Sequence, residues 1–423
     1  MVDDAEIQRS ENLARVINKP TKHPEPVLVS DKPWEGDRAQ AWGSVILEPD
    51  GLFRMWYFAF NTSVPRSPID CGGYCYAESR DGIYWEKPNL GLFEFRGNKN
   101  NNLFYSFAPD GKNQVEVSLA RRRLGLPAID QQGKQIGILN NADGLTVVRD
   151  DDEPDPDKRY KLFANMQDHA MQAAHNKVRY PDITAAQVLE AYAVFGQYMD
   201  TSPDGIHWTR KPQRFTDSVG DYMMVLRDHR NNRWWLNDRS RAARGARNAS
   251  LRISADLTNW SASEIYFDHD EENSFGSQFQ WHGGMTPFNY GNMNLGLLER
   301  WPMIDMDGSC ELICNRDGGP WRRVQPGTSF LAVGSAGAFD RVQAYPTHNP
   351  PLRLGNKLYI FYTGSGARRD LGCGTPMSMG LATLDVDRFV ALGTYESPVP
   401  GLLVTKPVKV AAGQLLLNVE MMD

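Results

Sequence analysis

The sequence predicts an all-β fold assembled from repeated antiparallel units, and three observations carry that prediction. Aromatic residues make up 11% of the 423 positions, including 11 Trp and 16 Tyr, and 37 Gly with 26 Pro provide for many tight turns. A short turn pattern followed by an aromatic recurs along the chain. Before each recurrence stand further β-like runs of apolar and β-branched residues.

The first copy of the pattern reads Ser79-Arg80-Asp81-Gly82-Ile83-Tyr84-Trp85, and the second Ser202-Pro203-Asp204-Gly205-Ile206-His207-Trp208. Ser254-Ala255-Asp256-Leu257-Thr258-Asn259-Trp260 is a third, Asn315-Arg316-Asp317-Gly318-Gly319-Pro320-Trp321 a fourth, and Leu384 to Phe389 a diverged fifth. Asp-Gly supplies the positive φ of a tight turn, and the aromatic after it can begin an outer strand and pack between neighbouring units. The runs upstream come in pairs, such as Gly43-Ser44-Val45-Ile46-Leu47 with Phe53-Arg54-Met55-Trp56-Tyr57-Phe58. Each unit therefore reads as four antiparallel strands, and five copies predict a five-bladed β-propeller whose first strands line a central funnel. Residues 1–30 read as an N-terminal extension and 31–423 as one propeller domain.

The closing aromatics lie 123, 52, 61 and 68 residues apart, so the second blade carries insertions. One runs from about Val115 to Asn141. The other, Ala170 to Ala191, contains a helix-compatible stretch after Pro181-Asp182 and has the length of a lid or binding loop.

A formal charge of −6, from 46 basic and 52 acidic side chains, offers no electrostatic pull toward a nucleic-acid backbone. No apolar stretch approaches the roughly 20 residues that span a bilayer, so neither nucleic acid nor membrane is an expected partner. Residues 1–10 are polar without a signal-peptide core, which fits a cytoplasmic protein or one whose signal has been removed. Of the five cysteines, Cys71 with Cys75 and Cys310 with Cys314 form two C-x3-C pairs in strand-like runs, and Cys373 stands alone. Residues four apart on a strand lie roughly 13 Å apart and cannot chelate one ion, so the cysteines read as structural thiols of a reducing compartment.

The runs Phe53-Arg54-Met55-Trp56-Tyr57, Tyr74 to Trp85 and Arg316 to Trp321 resemble bacterial proteins related to glycoside hydrolase families 32 and 43, the invertase- and arabinanase-like propellers. The resemblance covers about residues 30 to 418 and rests on turn and blade-packing residues. It implies a glycosidase whose three acidic residues sit where the first strands of blades one, two and three begin: a nucleophile or base, a stabiliser of the oxocarbenium-like transition state, and a proton donor.

Carried onto this chain, that pattern selects Asp37, with Glu35 as substitute, then Asp143, then Asp221. The invertase-like Asn-Asp-Pro-Asn-Gly motif is missing around Asp37, Gly144 follows Asp143 where those families have Pro, and Asp221 stands where they carry Glu. The shorter aspartate favours the wider carboxylate spacing of an inverting enzyme. Turn and capping roles compete for each: Asp143 suits a hairpin, Asp221 a strand cap, Asp37 a solvated loop.

Candidate substrate contacts are Trp42, Gln278, Trp281 and His282, with Asp340 before the fifth first strand as a hydroxyl-binding acid. Blade packing competes for Trp281 and a structural role for His282. Arg247 closes the run Arg239, Arg241, Arg244, Arg247, which reads as a solvated hairpin or as an anion site for a uronate, a sulfate or the phosphate of a phosphorylase. No cofactor is implied and no metal motif is present; a Ca²⁺ held by scattered oxygens would leave no local signature. Two alternatives stand beside hydrolysis: a glycoside phosphorylase, and a non-catalytic propeller that binds a glycan. Sugar identity, linkage and oligomeric state are not encoded in any motif.

Overall fold

The structure, a computed structural model, describes residues 2–60, 73–95, 97–105, 142–166, 196–216, 223–238, 249–267, 280–302, 308–316, 318–367, 376–395 and 398–407. The chain divides into two compact units, Lys19–Val386 and a smaller one composed of Met1–Asn18 with Asp387–Asp423. In the smaller unit β1 (Ile7–Glu11) pairs with β26 (Leu402–Thr405), and β2 (Leu13–Ile17) with β25 (Val390–Thr394), all antiparallel.

In the larger unit the strands follow one another as antiparallel meanders. The first is β4 (Arg38–Leu47), β5 (Phe53–Phe60), β6 (Gly73–Ser79) and β7 (Leu103–Tyr105). The second is β8 (Ala142–Arg149), β9 (Tyr160–Met166), β10 (Gly196–Ser202) and β11 (Thr209–Thr216). The third is β12 (Met223–Asp228), β13 (Arg233–Asp238), β14 (Ala249–Ser254) and β15 (Glu264–Phe267). In the fourth, β16 (Gln280–Tyr290), β17 (Met293–Pro302) and β18 (Ser309–Asn315) are followed by β19 (Arg322–Arg323) and β20 (Ser329–Leu331), which both pair with β18.

The last meander joins β21 (Gln343–Pro346), β23 (Lys357–Ser365) and β24 (Met377–Asp385), with β22 (Leu352–Leu354) beside β23. The far side of β24 is taken by β3 (Thr21–Lys22), through Ala382↔Lys22 and Thr383↔Thr21, and by the bridge Leu28↔Met379. A single parallel contact, Met377↔Arg38, links β24 to β4. Residues 19–28 are thus part of the sheet rather than of a separate extension ending at residue 30, because their backbone completes the ladder of a strand more than three hundred positions away.

Packing explains why the strands read as unbroken apolar runs. Along β5, Met55, Tyr57 and Ala59 join a cluster with Phe361, Met379 and Leu381 of the last meander, while Trp56 and Phe58 join one with Leu145, Leu162 and Ala164 of the second. A strand buried on both faces needs apolar residues at every position. The same alternation continues onward: Phe163 and Met199 pack with Met223, Val225 and Leu236, and Trp235 and Leu251 with Met285, Leu298 and Trp321.

The recurrent turn has one geometry in its first three copies. Ser79, Ser202 and Ser254 accept through Oγ from the N–H of Gly82 (2.8 Å), Gly205 (2.8 Å) and Leu257 (2.9 Å), each at positive φ. Asp81, Asp204 and Asp256 each accept through Oδ1 two further N–H groups at 2.8 Å, from Ile83 and Tyr84, Ile206 and His207, and Thr258 and Asn259. Gly205 is doubly constrained, since a Cβ there would come within 2.8 Å of Trp56. The aromatics then pack onto the preceding meander: Trp85 meets Phe361 edge to face at 5.6 Å, Trp208 joins the Trp56 cluster, Trp260 the Phe163 cluster, and Trp321 meets Trp235. In the fourth copy Asn315 Nδ2 donates to the Gly319 carbonyl, so an amide replaces the serine.

The insertions expected over 115–141 and 170–191, with their helical stretch, lie outside the described residues, as do Cys71 and Cys373. Cys75, Cys310 and Cys314 are buried free thiols. Burial pushes the Cys75 and Cys310 thiols well above their usual range, which keeps them protonated and unreactive. Among the described residues no helix is long and apolar enough to cross a membrane.

Candidate functional site at the leading ends of the strands

Each meander has a leading end, where its first strand begins, its second ends and its third begins. The first strands lie side by side, β4 against β8, β8 against β12 and β12 against β16. Hydrogen bonds cross between them: Ser44 Oγ donates to the His348 carbonyl (3.0 Å) and accepts from Val147 N–H (3.0 Å), and Thr146 Oγ1 donates to the Met223 carbonyl (3.4 Å). His348 is fully buried, with Nδ1 2.9 Å from the Leu145 carbonyl and its N–H donating to the Gly43 carbonyl at 2.8 Å. Asn349 Oδ1 accepts from Val45 N–H at 2.8 Å. The last, first, second and third meanders are thereby tied at one place.

Three of the first strands break register near their leading ends. The breaks fall between Gln40 and Ser44 in β4, between Ala142 and Leu145 in β8, and between His282 and Met285 in β16. Such bulges bend a strand and re-aim its side chains, and they concentrate next to functional sites. Gly43 has no alternative in the first of them, because a Cβ there would lie 1.9 Å from the Trp56 carbonyl oxygen. Trp42 sits in the same break and is half-buried. Asp143 sits in the second, and Trp281 and His282 open the third.

Asp37 immediately precedes β4, with its carboxylate one-fifth exposed and 4.0 Å from Arg38 Nε, and its carbonyl accepts from Met377 N–H. Glu35, the expected substitute, is fully buried and has a different task. It accepts from Lys87 Nζ (2.8 Å), from the N–H groups of Asp31 (2.9 Å) and Lys32 (3.0 Å), and from the Tyr57 hydroxyl. With three donors on Oε2 and one on Oε1, and with no surface exposed, Glu35 fixes the loop that carries Asp37 and is turned away from any substrate. Burial, with Cys75 and Glu35 alongside, raises the Tyr57 phenol far above its usual range and keeps it a donor. Burial opposes ionisation of Asp31, but Lys87 and Lys32 hold its carboxyl below the usual range.

Asp340, expected as a hydroxyl-binding acid, is buried and accepts from Lys22 Nζ and from the Tyr362 hydroxyl at 2.9 Å. Lys22 belongs to β3, so this carboxylate fastens the N-terminal strand to the last meander. Neither partner was legible nearby, since Lys22 and Tyr362 are distant in sequence. Gln278, Asp221 and Arg247 lie outside the described residues, and of Asp143, Trp281 and His282 the backbone is described. Among the described residues no group of His, Cys, Asp and Glu has the arrangement of a metal site.

No protein-family model and no curated protein matches the chain. Solved structures do. A thermostable family-43 glycoside hydrolase is 12% identical, with 89% of this chain and 98% of that one covered and a TM-score of 0.49. The β-1,2-mannobiose phosphorylase of Listeria innocua, in complex with β-1,2-mannobiose, is 11% identical over 90% of this chain and 98% of that one, TM-score 0.49. An N-acetylgalactosamine deacetylase from F. plautii, in complex with blood group B trisaccharide, is 12% identical over 90% and 97%, TM-score 0.49. Glycoside hydrolases are thus among the structures this chain resembles.

Proposed function

We propose that the Lys19–Val386 unit is a five-bladed β-propeller and that it cleaves glycosidic bonds at the leading ends of its strands. One observation carries this reading: Asp37 immediately precedes β4 and Asp143 is the second residue of β8, first strands of consecutive meanders that abut one another, and in the sequence position 221 comes two before the start of the next first strand, β12. The break in β8 at Asp143 and the anchoring of the Asp37 loop by Glu35 support it further.

Glycosidic cleavage needs a proton delivered to the leaving oxygen while a carboxylate acts from the opposite face of the sugar. In this reading Asp37 is the base or nucleophile, Asp143 steadies the positive charge that develops on the ring, and Asp221 is the proton donor. Carboxylates brought together repel one another, which raises the pKa of one and keeps it protonated near neutral pH. Trp42 and Trp281 offer faces on which a sugar ring stacks, and Gln278, His282 and Arg247 are its polar contacts. Asp340 acts indirectly, by holding β3.

The test is turnover of a glycoside panel with and without inorganic phosphate, with the anomer of the first product read by NMR. Hydrolysis without phosphate, with inverted configuration, is expected. Absolute dependence on phosphate identifies a phosphorylase, and binding without turnover of any glycoside leaves a glycan-binding propeller.

A further inference from the structure

Three carboxamides at the leading ends stand out by what they lack. Gln40, Gln197 and Asn237 are 3%, 0% and 1% exposed. Yet Gln40 Oε1 and both polar atoms of Gln197 and of Asn237 have no hydrogen-bond partner among the described residues. An unmade hydrogen bond on a buried polar group is costly, and native chains seldom retain such groups without a use for them.

Their positions are related. Gln40 lies opposite Phe58 in the β4–β5 ladder, on the face whose apolar cluster fills the gap between the first and second meanders. Gln197 lies two residues before Met199 on β10, whose face packs between the second and third. Asn237 lies two residues after Trp235 on β13, whose face packs between the third and fourth. Each of three successive gaps therefore ends, at its leading side, in one carboxamide.

At the trailing side of two of these gaps buried carboxylates are engaged by several donors. Between the first and second meanders Glu48 accepts from Arg149 (2.7 Å), the Tyr160 hydroxyl (2.7 Å) and Arg54 (3.3 Å). Between the third and fourth the fully buried Asp228 accepts from Asn231 and Arg233 at 2.8 Å and from Asn289 at 2.9 Å. Unpaired buried atoms also occur elsewhere, on Asp150 Oδ1, Trp208 Nε1, Arg227 Nε and Gln325 Oε1, but the three carboxamides share the leading side, where Asp37 and Asp143 stand.

We infer that Gln40, Gln197 and Asn237 are a recognition set for the hydroxyl groups of an uncharged carbohydrate, each supplying both a donor and an acceptor; this rests on the glycosidase reading above. A carboxamide presents a carbonyl and an NH₂ on one rigid plane, which matches the paired donor and acceptor character of sugar hydroxyls. It brings no charge to the place where the glycosidase reading gathers the acids. A phosphate or uronate would find no cation in this set, so a neutral ring is the ligand class it fits.

The experiment uses the full chain and the replacements Gln40→Met, Gln197→Met and Asn237→Leu, with β-1,2-mannobiose, sucrose and arabinobiose as probes. Thermal unfolding is followed with and without saturating probe, in the wild type and in Asp143→Asn, where turnover is blocked. The expected result is that each replacement unfolds at the wild-type temperature or above without sugar, and loses the sugar-induced shift, with Kd raised tenfold or more. Unchanged sugar shifts and Kd values would overturn the inference and assign the amides to ordered water, as would a wild type that responds to no probe. Where a replacement does not fold, Gln→Asn and Asn→Ser keep a polar group, withdraw its reach and are read in the same way. A wild type that binds a probe but turns over no glycoside sinks the hydrolase reading and leaves the recognition set standing.

Discussion

At the trailing ends of the meanders, Asp81, Asp204 and Asp256 each hold two backbone N–H groups, and Arg54 is stacked on Trp56, Tyr76 and Tyr160 while it donates to Glu48. At the leading ends, first strands break register and buried amides keep open hydrogen-bonding capacity. The trailing end uses its aspartates to lock its turns, and the leading end interrupts its strands and carries the three carboxamides. The lesson is that one antiparallel unit can be rigid at one end and chemically open at the other, because turn geometry and strand length are set independently of the residues at the opposite tip.

The comparison breaks most visibly if the leading-end acids are idle. Asp143→Asn and Asp221→Asn are expected each to lower kcat by about 10²–10⁴-fold, the range of a lost acid or base, with unfolding temperature unchanged. Near-normal rates for both on an accepted glycoside would return these acids to turns.

Glu35 sharpens the contrast, because it lies two residues from Asp37 yet behaves as a trailing-end residue. Glu35→Ala leaves the Tyr57 hydroxyl and the Asp31 and Lys32 N–H groups without their acceptor, while Lys87 keeps Asp31 and the Val29 carbonyl, and is expected to cost about 1–3 kcal/mol in chemical denaturation. Activity per folded molecule should fall less than stability, and the opposite order would make Glu35 a member of the site.

Ser44→Ala removes a hydroxyl that ties the first strand of one meander to the second and to His348, and is expected to cost about 1–3 kcal/mol. Activity should fall only as far as the fraction folded does.

The smallest effect belongs to Asp204. Burial works to raise its pKa, but the N–H and ring of His207, Ile206 N–H and Ser202 hold it at about 2 against an ordinary 3.8. A carboxyl whose folded pKa is depressed contributes its stability in full above about pH 4 and loses it as pH falls toward 2. Asp204→Asn keeps an acceptor oxygen and removes the titration, so urea midpoints should fall less steeply over that window than in the wild type. With the side chain nearly half exposed, the difference should stay below about 1 kcal/mol.

What was legible in the sequence was local. Ser202, Asp204, Gly205 and Trp208 lie within seven positions, and backbone hydrogen bonding of so short a segment is dictated by the segment itself. The paired runs before each turn were equally readable, since a strand buried on both faces shows its apolar character at every position. The partners of Glu35, Asp340, Ser44 and His348 were not. Lys87, Lys22, Val147 and Leu145 reach them only through the arrangement of the meanders, and no spacing rule links such positions. Asp340 illustrates the cost: an acid before a first strand looks like a ligand for sugar until β3 brings its lysine alongside.

That same β3 has a consequence for how the molecule is made. On a ribosome, residues 21–28 emerge early, while their partners on β24, from Met379 to Thr383, emerge only after nearly all of the Lys19–Val386 unit. Pairings this distant in sequence form slowly, since the loop they close must be gathered first. The earlier-made segment therefore waits unpaired, and β24 keeps an open edge until it returns. Thr21, Lys22 and Leu28 act as the clasp of a necklace, fastened last, and a nascent chain halted before β24 would present a loose strand to its neighbours.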